Sequence, residues 1–128
     1  MIDANQIRKL YDRYPEMVTK GDVDGIVALY AADATIEDPI GSPVHRGTDA
    51  IRTFYKAAVG ITMKRVGPVH VAGREAATPL KVLIGPVGKQ QVIDIISVMA
   101  FHEDGKIASM RAFWSADAIR PATPEDLA

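Results

Sequence analysis

The chain has 128 residues, enough for one domain with a substantial buried core. Its net charge of −1 provides no electrostatic footprint for nucleic acid or an anionic membrane, and the lack of cysteine excludes disulfides, a thiol nucleophile and thiolate metal sites. No run reaches the roughly 18 apolar residues of a membrane helix, and the opening MIDANQIRK has no apolar leader core. The expectation is a cytoplasmic protein with no nucleic-acid or membrane partner.

Asp3, with Gln6 three residues on, starts the first predicted helix as a capping-box variant. Ile7, Leu10, Tyr11, Tyr14, Met17 and Val18 follow at helical spacing and form an apolar stripe. Pro15 falls inside that helix, where it removes a hydrogen bond. Two tyrosines on such a stripe are core material first, but a buried phenol needs a partner for its hydroxyl. Gly21 ends the helix. Asp22 caps a second one, predicted from Val23 to about Tyr30.

The segment YAADATIEDPIG, Tyr30 to Gly41, then turns from helix to strand. Alternation puts Ala34, Ile36 and Asp38 on one face, with Pro39 stopping the strand. A carboxylate on an apolar face resists ionisation, and a raised pKa suits a general base. Asp before Pro also caps turns, and on this stretch alone that purely local role for Asp38 is the stronger reading.

Pro39 to Arg46 reads as a loop, and a third helix runs from Asp49 to about Ala58 with Ile51, Phe54, Tyr55 and Ala58 inward. Four β-rich runs follow, Ile61–Val71, Ala76–Ile84, Gln91–Phe101 and Ile107–Ser115, separated by Gly- and Asp-rich turns. Gly67-Pro68 is expected to break the first of them. The expected class is α+β: three N-terminal helices packed on a strongly curved, mostly antiparallel sheet that encloses a cone-shaped pocket. Residues 1–118 form the single domain, and 119–128, with Pro121 and Pro124, read as a mobile tail.

Within the third β run, Ile93, Ile95, Ser97, Met99 and Phe101 share a face that is apolar except for Ser97. A buried serine commonly bonds to a backbone carbonyl. On the last run Met110, Ala112 and Trp114 share a face. Val92, Ile96, Val98 and Phe113 lie on the opposite side. A sheet apolar on both sides, with helices for only one, predicts a homodimer through the other.

Three segments, RYPEMVTKGD, YAADATIEDPIG and DIISVMAFHEDGKIASMRAFWS, resemble in order and spacing those of the bacterial steroid Δ5-3-ketoisomerases. The resemblance runs from about Gln6 to Ser115 and is weakest at Met63 to Ala77. It implies the curved-sheet cone of the nuclear-transport-factor-2-like superfamily and a steroid substrate handled without cofactor or metal. By position it implies Asp38 as general base, Tyr14 as oxyanion-hole phenol, Tyr30 and Tyr55 as tyrosines bonded to it, and Trp114 as the indole beside the base. Leu80, Val82, Ile95, Phe101, Met110 and Ala112 fall on supporting or cavity-wall positions. Ser97 departs from the pattern, because familiar members carry a protonated Asp there as second oxyanion donor.

Two alternatives follow from the same fold. Epoxide hydrolases of this fold use an Asp-Arg-Asp set and dehydratases a histidine pair. Here the inward face has no Arg, and His45, His70 and His102 fall in a loop, a gapped strand and a turn. A non-catalytic steroid or lipid binder is the other alternative, kept open by Ser97.

Overall fold

The computed structural model describes residues 2–128, so only Met1 of the expected domain lies outside the described residues. Helix α1 spans Ala4–Lys20 and opens with the expected capping box: the Asp3 carboxylate accepts from the Gln6 amide, and the Gln6 side chain accepts from the Asp3 amide. The helix ends at Gly21, whose φ of 70° is the left-handed conformation that glycine adopts without penalty. Asp22 caps α2, Val23–Val27, through the Gly25 amide. A Cβ at Gly25 would sit 2.2 Å from Asp22 Oδ2, so a side chain there would push the capping carboxylate aside.

Helix α2 is shorter than expected. Strand β1, Tyr30–Glu37, already begins at Tyr30, because Tyr30 pairs with Ile107 in a sheet rather than continuing the helix. The loop expected after Pro39 contains a two-residue strand, β2, His45–Arg46, paired with β1. Helix α3 covers Thr48–Ala57. Then come β3, Thr62–Arg65, β4, His70–Ala72, β5, Glu75–Ile84, β6, Gln91–Phe101, and β7, Ile107–Phe113. The break between β3 and β4 falls at Gly67-Pro68, where a Cβ on Gly67 would come within 2.6 Å of the Pro79 ring.

The strands form one curved, open sheet in the order β2-β1-β7-β6-β5-β3, with β4 also on β5. All pairs are antiparallel except β1 with β7. The helices lie on the concave side. The core there joins Ile7, Leu10 and Tyr14 of α1 with Ile51 of α3 and with Met99, Phe101 and Met110 of the sheet. This is the expected α+β architecture.

The segment expected as a mobile tail carries secondary structure. Arg120–Pro121 forms strand β8 against Gln91–Val92 of β6, and Pro124–Leu127 forms a short helix, α4, capped by Thr123 and Asp126. The Asp126 carboxylate is buried, bonded to Lys81 Nζ at 2.6 Å and to Arg120 Nη1 at 2.8 Å. Lys64 Nζ reaches the Ala128 carbonyl at 2.8 Å, and Arg120 Nε reaches Asp94 at 2.9 Å. Lys64, Lys81 and Asp94 are register neighbours across β3, β5 and β6, so the tail lies on the convex face. Leu83 and Val92 on that face are buried but stand apart from the main core. Among the described residues no helix is long and apolar enough to cross a membrane.

Candidate active site

Helices α1 and α3, strands β3, β5 and β6 and the ends of β1 and β7 meet around a cavity of about 150 Å³. Tyr14 enters from the α1 stripe and Tyr55 from α3. Val82 and Ile95 come from neighbouring strands of the sheet. Asp38 and Trp114 arrive together because β1 and β7 run parallel, with Glu37 opposite Arg111, and the chains leave the sheet side by side. The Ile40 amide then bonds to the Ala112 carbonyl and extends this pairing past Asp38. The Asp38-Pro39 peptide is cis.

Trp114 Nε1 donates to Asp38 Oδ1. Among the described residues no Lys, Arg or His forms an ion pair with Asp38. Burial raises its carboxyl above the usual carboxylate range, and the indole N–H and the field of His45 pull it part of the way back. His45 itself stacks on Phe54, with ring centroids 5.2 Å apart. It stands beside the cavity and not on its wall, a placement that a loop histidine does not reveal in sequence.

The phenols form a chain. Tyr55 Oη lies 2.7 Å from Tyr14 Oη and 2.6 Å from Tyr30 Oη. Tyr14 and Tyr55 pack edge to face, and all three are buried. Burial drives each hydroxyl well above the ordinary tyrosine range, so all three stay protonated donors. Three hydroxyls carry three protons. Once Tyr30 donates to Tyr55 and Tyr55 to Tyr14, the Tyr14 proton is free for the cavity.

Of the residues singled out from sequence, the cavity wall contains Asp38, Tyr14, Tyr55, Trp114, Val82 and Ile95. Tyr30 stands behind Tyr55. Leu80, Phe101, Met110 and Ala112 are buried in the core and are not on the wall. At about 3.3 Å rise per residue, Phe101 is roughly 20 Å along β6 from Ile95, at the far end of the cone. Ser97 is 2% exposed and also behind the wall; its Oγ lies 3.1 Å from Tyr11 Oη. Val18, Phe54 and Ala58 on the helix side complete the lining, with Ile61, Met63, Ile84 and Ile93 on the strand side. Phe54 and Ala58 were legible as inward positions of α3, whereas Ile61 and Met63 lie where the sequence pattern is least informative. A more open depression of about 760 Å³, bordered by Lys9, Arg13 and Lys106, contains neither Asp38 nor any of the tyrosines.

Known proteins agree with this architecture. A SnoaL-like domain model matches residues 11–110. The steroid Δ-isomerase of Nocardioides simplex is 40% identical over 112 residues, spanning 86% of this chain and 90% of that protein. The epoxide hydrolase LasB of Streptomyces lasalocidi is 26% identical over 95% of this chain, which spans about half, 52%, of that protein. The solved structure of SalBIII, an epoxide hydrolase/cyclase-like enzyme of pyran ring formation in the polyether salinomycin, superposes with a TM-score of 0.84. It is 31% identical, covering 94% of this chain and all of that one. The chain therefore belongs to the ketosteroid isomerase family, within the SnoaL-like, nuclear-transport-factor-2-like superfamily.

Proposed function

We propose that the protein is a steroid Δ-isomerase that moves the double bond of a Δ5-3-ketosteroid into conjugation with the ketone. Asp38 takes the proton from the carbon between ketone and alkene and returns it two carbons further along. The dienolate formed between these steps carries its charge on the ketone oxygen, where Tyr14 donates from the cavity wall and Ser97 from behind it, a reach that requires the wall to part when the steroid enters. One proton moves within one substrate, so the scheme needs no cofactor. Preorganised donors at a developing oxyanion supply a large share of such a barrier reduction.

The observation that carries this reading is the pairing of one uncompensated carboxylate with one phenol chain on an apolar wall. Asp38 has an indole partner and, among the described residues, no paired cation, which leaves it basic and free to shuttle a proton. The epoxide-hydrolase relatives show that the fold hosts other reactions. Opening an epoxide with water calls for polar groups around that water. Among the described residues, Asp38 is the only carboxylate on this wall, and its neighbours there are otherwise aromatic or aliphatic.

The test is turnover of 5-androstene-3,17-dione, followed by the absorbance of the conjugated enone. Asp38→Asn is expected to lower turnover to below about a hundredth while keeping or improving affinity for the phenol equilenin, which mimics the dienolate. Steroid binding without turnover in the parent protein favours the non-catalytic binder instead. Retained turnover in Asp38→Asn means that another group is the base.

A further inference from the structure

Tyr11 has no part in the scheme above, yet it is fully buried one helical turn before Tyr14, with ring centroids 6.5 Å apart. Positions three apart share a helix face, so both phenols rise toward the same side of the sheet. Tyr11 Oη lies 3.1 Å from Ser97 Oγ and 3.5 Å from the Ser97 carbonyl oxygen. Thr78, the cross-strand neighbour of Ser97, turns its hydroxyl to the Pro68 carbonyl at 3.2 Å and the Gly67 carbonyl at 3.4 Å. That leaves Tyr11 as the side-chain partner of Ser97.

The direction of the Tyr11–Ser97 bond follows from proton counting. If Ser97 donated to Tyr11, its one proton would be used, and the Tyr11 proton would have only the carbonyl at 3.5 Å, a poor bond. If Tyr11 donates to Ser97 Oγ, the Tyr11 proton is well placed and the Ser97 proton, with no acceptor among the described residues, is left for a ligand oxygen. A phenol is also the stronger donor of the two, and an alcohol the better acceptor. Burial keeps the Tyr11 phenol protonated. A hydroxyl that accepts a hydrogen bond becomes a stronger donor through its own proton.

We propose that Tyr11 is the positioning residue of the second oxyanion donor: its phenol donates to Ser97 Oγ, turns the single Ser97 proton toward the ketone oxygen and strengthens it. The site then has two donor relays, Tyr30–Tyr55–Tyr14 and Tyr11–Ser97, and the second replaces acidity in the terminal donor with polarisation from behind. This rests on the isomerase reading for the identity of the oxyanion and for Ser97 as one of its donors.

A double-mutant cycle of Tyr11→Phe and Ser97→Ala tests it, read as kcat and KM with 5-androstene-3,17-dione and as affinity for equilenin. Because deleting a donor outright costs roughly 10²–10³ in rate, removing the group behind it is expected to lower kcat about fivefold with KM nearly unchanged. In the Ser97→Ala background, Tyr11→Phe is expected to change nothing. An equal loss in both backgrounds, or no loss in the parent, makes Tyr11 a packing residue and overturns the proposal. The fluorescence of bound equilenin gives an independent reading, since Tyr11→Phe should lower the fraction bound as phenolate only when Ser97 is present. A parent that binds equilenin but does not isomerise the steroid sinks the isomerase reading, and the coupling in equilenin binding still decides the role of Tyr11.

Discussion

Asp38 is poised by two opposing effects, burial raising its pKa and the Trp114 N–H lowering it. As the proposed base, Asp38 must be ionised, so kcat/KM is expected to fall as pH drops through the raised value, with half-loss above the ordinary 3.8 of the carboxylate. A profile that stays flat to below pH 3.8 would assign the proton transfer elsewhere. The same shift has a sign for stability. A carboxyl raised in the folded state costs nothing below its unfolded value, and the cost grows as pH rises toward the folded value. Asp38→Asn should therefore melt higher than the parent at neutral pH, and the gap should close near pH 3. Ser97 carries the next expectation. A carboxylic acid kept neutral there donates more strongly than an alcohol, so Ser97→Asp should raise kcat, by about tenfold. It should also lower the melting temperature, because a larger polar group is desolvated. An Asp variant that is slower and more stable would make Ser97 a packing residue. Both residues were conspicuous in sequence as polar positions on apolar faces. The partner of Ser97 was not, because Tyr11 is 86 positions away and periodicity says nothing about which phenol meets which strand.

At the scale of elements, the tail carries a sequence signal that admits a second reading. Pro121 and Pro124 suggested mobility, but Pro at the first helical position and Thr123 with Asp126 three residues later are a helix start. The convex-face stripe supplied the other half: Leu83 and Val92 need a cover, and the segment from Arg120 lies over them. Arg120 and Lys81 hold the Asp126 carboxyl well below the usual range. A depressed carboxyl stabilises the fold above its unfolded pKa, and that contribution is lost as pH falls toward the folded value. The clamp should thus survive mild acid and fail only in strong acid. Asp126→Ala is expected to lower the melting temperature by several degrees and to increase dye binding to newly exposed apolar surface, with turnover at low temperature largely retained. An unchanged melting curve would mean that the tail adds nothing to the fold. The β3–β4 break at Gly67-Pro68 was legible because Pro cannot donate to a ladder. The parallel pairing of β1 with β7, which brings Asp38 to Trp114, was not, since strand order leaves no local trace.

On the whole molecule, the convex face is only half covered once the tail is in place. Beyond it Ile96 and Phe113, register neighbours on β6 and β7, are 44% and 41% exposed, with the Arg111 guanidinium 5.3 Å from the Phe113 ring centre. Val98 lies beside them. An isologous dimer would bury this face against its own copy, each Phe113 meeting apolar surface and each Arg111 finding a place at the rim. A stable interface takes about 800 Å² from each partner, a small share of the 7150 Å² accessible surface of the chain. The expected state at micromolar concentration is therefore a homodimer, and sedimentation equilibrium measures it directly. Ile96→Lys with Phe113→Glu should dissociate it without unfolding the domain, because both side chains already face solvent in the single chain. A parent of monomeric mass removes the dimer altogether. A variant that remains dimeric moves the interface to another face, with Ile40 and Val44 of the loop after β1, 39% and 52% exposed, as the next apolar surface to mutate.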